Sequence, residues 1–141
     1  MGTRRKAREA ALQVLYQIDT AGIAADGVEQ AISSFFELYD DGDDRDARAF
    51  AELLVRGCAA QLDVIDAKIR DVSKHWRIER MARVDRNVMR LAVHELMALP
   101  DVPRRVTLNE AVELAKRFGD ENSASFVNGV LDRIASELGK D

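Results

Sequence analysis

At 141 residues, with 47% hydrophobic and 33% charged side chains, the chain fits one soluble globular domain over residues 1–141. That length buries about two-thirds of the surface an unfolded chain exposes. No apolar run reaches the roughly 18 residues a membrane span needs, and no apolar segment follows the basic N-terminus, so neither a span nor a signal peptide is expected. The net charge of −4 is unevenly distributed: residues 19 to 52 hold ten acidic and two basic side chains, residues 1 to 18 four basic and one acidic, and residues 68 to 105 ten basic and five acidic. Attraction of a polyanion follows the local field, so an acidic total does not exclude nucleic acid.

In chain order, a first helix is predicted over Arg4–Thr20, burying Ala11, Leu12, Leu15 and Ile18. Gly22–Gly27 breaks it. A second helix buries Val28, Ala31, Ile32, Phe35 and Tyr39. The run Asp40–Asp46 (DDGDDRD) reads as a solvated loop, because such charge density resists burial. A calcium loop is the alternative, but the offsets and the missing terminal glutamate speak against it. A long apolar stripe follows through Phe50, Leu54, Cys58, Leu62, Ile65 and Ile69, as one helix or as two broken near Gly57. A short turn at Ile78–Met81 leads into a central helix, Val84–Leu99, which is apolar on more than one side and therefore expected to be the most buried. Pro100 and Pro103 stop it.

The last third reads as an α-hairpin. Thr107 and Glu110 stand at capping-box spacing, and Leu108, Ala111, Val112, Ala115 and Phe118 form a stripe of helical period. Gly119 sits where a helix end favours glycine for its access to positive φ. Val127, Val130, Leu131, Ile134 and Leu138 form the facing stripe. Asn109, Asn128 and Gly129 are poor helix formers in this setting. The plainer reading gives Gly129 a close helix crossing and Asn128 a backbone carbonyl to cap. No alternating strand pattern occurs. The expected fold is all-α, a compact bundle of about seven helices, possibly two small helical subdomains.

Catalysis is poorly supported. The two histidines, His75 and His94, lack metal-ligand spacing with any cysteine or second histidine, and no phosphate loop or nucleophile elbow is present. Neither a cofactor nor a metal is expected. His94 beside Glu95 reads as a partly buried, hydrogen-bonded histidine rather than half of an acid–base pair, since adjacent helical residues diverge. Cys58 reads as a small core residue in a reducing compartment.

Arg4, Arg5, Lys6 and Arg8 crowd a helix start, where cations oppose the dipole at about 0.3–1 kcal/mol. On composition alone they read as a solvated helix end. Arg77, Arg80, Arg83, Arg86 and Arg90 step by three and four, so several are expected on similar faces, as solubilising groups or as contacts to RNA or protein. Phe126 is expected off the main buried face, beside Asn122, Ser123, Ser125, Lys116 and Arg117, where an unpaired base could stack on it.

NEAVELAKRFG followed by SFVNGVLD, together with VDRNVMRLAVHELMALPDVP and RRKAREAALQVLYQID, resembles the NusB family of bacterial transcription antitermination factors. These blocks cover more than half of the chain in the family's order, leaving residues 22 to 75 generic. The resemblance implies a non-enzymatic, cytoplasmic protein that pairs with NusE, a small-subunit ribosomal protein. The pair would bind single-stranded boxA RNA of ribosomal RNA operon leaders and act indirectly on the RNA polymerase elongation complex. It implies RNA contacts at Arg4, Arg5, Lys6 and Arg8, and at Asn122 and Phe126 of the hairpin turn. A partner surface is expected at Tyr16, Arg83 and Arg86. Alanine at all four N-terminal positions is expected to weaken RNA binding while leaving thermal unfolding nearly unchanged. Alternatives are a homodimeric interaction module or a NusB-like domain serving a ribosomal RNA methyltransferase.

Overall fold

The computed structural model describes residues 2–39 and 44–140. The first four residues of the expected acidic loop, Asp40 to Asp43, lie outside that range. Seven α-helices and two 3-10 turns make up the regular structure of the described residues, with no strand among them. They fall into two compact units, residues 1–60 and 61–141.

In the first unit, α1 (Thr3–Ala21) packs chiefly on α3 (Arg45–Ala60), and α2 (Val28–Tyr39) touches both. Ala7, Ala11 and Val14 recur at four and three, are wholly buried, and keep the helix surface low for close approach. Gly22 ends α1 in the left-handed region at φ 64°, and the Ile23 N–H reaches back to the Ile18 carbonyl at 3.0 Å. That is the glycine-dependent cap predicted for a helix C-terminus. The Ala47 N–H donates to Asp44 Oδ1 at 2.9 Å, so an aspartate caps the start of α3. Tyr39, expected on the buried face of α2, is instead exposed. It lies at the helix end, where its ring meets Phe35 at 4.9 Å between centroids.

The long apolar stripe is two helices. Gly57 lies inside α3, and the break falls at Gln61, whose φ of −118° and ψ of 23° leave the helical region before α4 (Leu62–Val72). In the second unit, α5 (Arg83–Ala98) packs against α4, α6 (Arg104–Phe118) and α7 (Ser123–Glu137). Ten of its sixteen residues are buried, including the unbroken run Leu91–Leu96, as its two-sided apolar pattern requires. Arg90 chelates Asp66 of α4 through two bonds of 2.8 and 2.9 Å, and Asn87 Oδ1 accepts a third at 3.2 Å. The Arg133 guanidinium donates to the Val72 carbonyl at 3.1 Å, joining α7 to the end of α4. Arg104 grips the far end of α7 through the Asp132 carboxylate, the Asp132 carbonyl at 3.0 Å and Ser136 Oγ at 3.1 Å.

Three local expectations for the hairpin are corrected. First, α6 starts at Arg104 with Pro103 as its cap, so Thr107 is interior, 1% exposed, and its hydroxyl meets no partner among the described residues. Proline presets its own φ and leaves no N–H to satisfy, so it begins the helix a turn before the capping-box residues. Second, Gly119 is extended at φ −97° rather than left-handed. Glycine is required there for space: a Cβ would stand 2.6 Å from Ser123 Cβ and 2.8 Å from the Ala115 carbonyl oxygen. Third, Gly129 makes no close crossing. A Cβ there would meet nothing within 4 Å, and both Asn128 and Gly129 are exposed.

Candidate nucleic-acid interface

The four N-terminal cations occupy one and a half turns of a helix with no acidic residue in its first turn and no side-chain cap. Two contacts within the first unit offset that unfavourable start. The Arg4 guanidinium lies 3.9 Å from the centroid of the Phe50 ring, and Lys6 Nζ stands 3.6 Å from Asp44 Oδ2. A guanidinium that stacks on a ring still has its in-plane N–H groups available, the edge that chelates a phosphate. Arg4 and Arg5 are exposed, whereas Arg8 is only 4% exposed and lies 5.8 Å from the same Phe50 ring. The expectation that all four cations are dispensable for stability is therefore corrected for Arg8, a buried side chain whose loss also removes packing. Phe50, read from sequence as one more core residue, is the seat of this cluster.

Tyr16 lies farther along α1 and is 39% exposed. Arg83 is exposed at the first position of α5. Arg86 is half-buried and donates to the main-chain carbonyls of Ile78 and Glu79 at 3.3 and 3.4 Å, while Arg90 is spent on Asp66. The arginine series is thus divided: Arg77, Arg80 and Arg83 are exposed, whereas Arg86 and Arg90 turn to partners within the unit. Its later members staple the entry to α5, a role that spacing alone does not reveal.

In the second unit, Asn122 and Phe126 stand one turn apart, with the Phe126 N–H donating to the Asn122 carbonyl at 3.1 Å. The turn that carries them is held by Asp120. Its N–H donates to Ser123 Oγ at 3.0 Å, and its Oδ1 accepts the Asn122 N–H at 2.8 Å. Buried Asp85 of α5 meets Ser123 from below. Burial pushes the Asp85 carboxyl above its ordinary range, the Ser123 hydroxyl pulls it down in part, and Asp120 adds a smaller upward push. Asn122 is exposed and Phe126 half-buried. Phe126 meets Trp76 edge to face at 6.5 Å between centroids, with 77° between the planes. The sequence reading passes over Trp76, although a lone tryptophan inside the polar run Lys74–Arg77 is an unusual setting for so large an apolar ring. His94 is buried with its Nδ1 unpartnered among the described residues, not hydrogen-bonded there as expected.

The NusB family model matches residues 5–136. The chain belongs to the NusB family. Among its relatives, the transcription antitermination protein NusB of Sorangium cellulosum is 51% identical over 140 residues, covering 99% of this chain and 96% of the relative. The Myxococcus xanthus NusB is 50% identical over 141 residues, covering 99% of each. The solved T. maritima NusB superposes with a TM-score of 0.85 at 41% identity, over 95% of this chain and 91% of that one. A second solved structure, of antitermination factors NusB and NusE in complex with dsRNA, superposes with the same TM-score of 0.85 at 32% identity, over 97% and 98% of the chains. Like its NusB relatives, the chain is non-enzymatic, and none of its described helices is long and apolar enough to cross a membrane.

Proposed function

We propose that this protein is a cytoplasmic RNA-binding transcription antitermination factor that works as a heterodimer with NusE on single-stranded boxA RNA of ribosomal RNA leaders. The observation that carries this reading is the likeness, over nearly the whole chain, to a NusB solved together with NusE and RNA. Arg4 and Arg5 hold phosphates from the first unit, with Lys6 sharing its charge with Asp44 and Arg8 supporting the helix beneath them. Asn122 and Phe126 meet bases from the second unit. Tyr16, Arg83 and, through its hold on the α5 entry, Arg86 belong to the partner surface, and the RNA polymerase elongation complex is reached indirectly. No bond is made or broken, so function rests on affinity and assembly. Single-strand affinity falls by about 0.7 log unit per log unit of salt for each phosphate neutralised, so a few cations alone bind weakly at physiological salt. NusE raises the affinity by supplying further contacts at high effective concentration.

The test is fluorescence anisotropy of a boxA-type RNA, with and without NusE, at two salt concentrations. A scrambled strand and a duplex of the same sequence serve as competitors. Weak, salt-sensitive binding that tightens with NusE and prefers the single strand is expected. No binding in either condition would overturn the reading and move the assignment to a self-associating module, which sedimentation would report as a dimer indifferent to RNA.

A further inference from the structure

We propose that Trp76 is a second base-stacking platform, forming with Phe126 a two-ring step on the surface of the second unit. The proposal rests on the RNA-binding reading above and extends it to a residue outside the sequence blocks that carry the family resemblance. Trp76 is 66% exposed on the segment between α4 and α5. Its backbone is not loose: the Trp76 N–H donates to the Ser73 carbonyl at 2.9 Å, and the Arg80 N–H to the Arg77 carbonyl at 2.9 Å. Two consecutive hydrogen-bonded turns therefore hold the backbone that carries the ring. The contact with Phe126 fixes its attitude further, because an edge-to-face pair has a preferred geometry. In such a pair the edge of one ring meets the face of the other, so one ring keeps both faces clear of its partner. At 77° between planes, one base cannot lie on both rings, but two successive bases of a turning single strand can take one each.

The surrounding charge selects the occupant. Residues 68 to 83 hold six basic side chains (Lys68, Arg70, Lys74, Arg77, Arg80 and Arg83) and two acidic ones (Asp71 and Glu79). Of these, Arg70 pairs with Glu79 at 3.3 Å, while Lys74, Arg77, Arg80 and Arg83 are all exposed. The core of a protein–protein interface is depleted of charge. An aromatic pair set among excess cations instead matches single-strand recognition, in which cations track phosphates and rings take bases.

The chain has one tryptophan, so intrinsic fluorescence reports Trp76 alone. The full-length protein is titrated with boxA-type RNA, with and without NusE, following tryptophan emission and RNA anisotropy together. Emission is expected to be quenched in step with the anisotropy rise. Trp76→Ala should weaken RNA binding by about 5- to 150-fold, the range for losing one stacked base. Trp76→Phe should recover most of that loss, and both variants should melt like the parent and bind NusE normally. RNA binding without quenching, at parental affinity in Trp76→Ala, would overturn the proposal while leaving the RNA-binding reading intact. Quenching by NusE alone, with loss of NusE binding in Trp76→Ala, would assign the ring to the protein partner and equally overturn it. Failure of RNA to bind the parent, even with NusE, would be failure of the RNA-binding reading itself.

Discussion

Replacing Arg4 and Arg5 together with alanine separates the RNA contact from the fold, and Arg8→Ala makes the opposite change. If each exposed guanidinium neutralises one phosphate, the paired replacement lowers the slope of log affinity against log salt by about 1.4. Between about 50 and 200 mM salt, the parent then loses about sevenfold more affinity than the variant. The stability cost is small, because Arg5 is exposed and the Arg4–Phe50 contact at an exposed site contributes about 0.5–1 kcal/mol. For a chain of this length that lowers the melting temperature by about 2–3 °C. Arg8 is 4% exposed, so Arg8→Ala removes a packed stem and a charged hydrogen-bonding group, costing about 2 kcal/mol or about 7 °C. Its salt slope should stay parental. Anisotropy at four salt concentrations and thermal unfolding by circular dichroism measure both quantities. A parental slope in the paired variant would show that the phosphates are held elsewhere; a flattened slope with a parental melt in Arg8→Ala would invert the assignment.

Two glycines of the hairpin should respond in opposite directions. Gly119→Ala is expected to destabilise by about 1–3 kcal/mol as its methyl group is forced on Ser123 and the Ala115 carbonyl. Gly129→Ala, in open space inside α7, should stabilise by about 0.5–1 kcal/mol; urea unfolding reads both. Asp66→Ala takes the paired carboxylate away from a largely buried Arg90, and is expected to cost about 3 kcal/mol. An Asp66→Leu/Arg90→Leu pair should lose far less, because breaking a buried pair is worse than replacing it. For pH, burial raises the Asp85 carboxyl, so the folded chain keeps a proton that the unfolded chain releases. That contribution is full below the ordinary 3.8 and is lost as pH rises through the folded value. Asp85→Asn should therefore be more stable than the parent at pH 7, with the advantage shrinking on acidification. Burial lowers His94, so its contribution is full above 6.5 and is lost as pH falls through the folded value. His94→Gln should flatten the stability profile just below pH 6.5.

The helical architecture was legible because long amphipathic runs speak through many residues at once. α5 declared its burial by being apolar on two sides, and the expected ends of α1 lie within one residue of the observed ones. What failed were inferences resting on one or two side chains. The spacing of Thr107 and Glu110 suggested a cap, yet Pro103 had already started the helix, since a fixed φ outweighs a hydroxyl. The sequence favours glycine at 119 for torsion, whereas the structure requires it for room, a distinction made by residues four positions away on either side. The arginines between 77 and 90 look alike in sequence. Only tertiary partners divide Arg90, locked on Asp66, from the exposed Arg83. Nothing in the local pattern distinguishes buried Arg8 from its exposed neighbours Arg4 and Arg5 except its place on the Ala7–Ala11 face of α1.

The seat of Arg4 on Phe50 bears on how RNA is captured, beyond the charge it carries. A free arginine has about 2 kcal/mol of rotamer freedom to surrender when it grips a phosphate. Resting on an aromatic ring, the side chain has given up part of that freedom during folding, so the loss falls on the protein before RNA arrives rather than on the complex. Phe50 thereby contributes to affinity without touching the ligand. A substitution there would weaken binding while keeping every charge, and so would leave the salt slope unmoved.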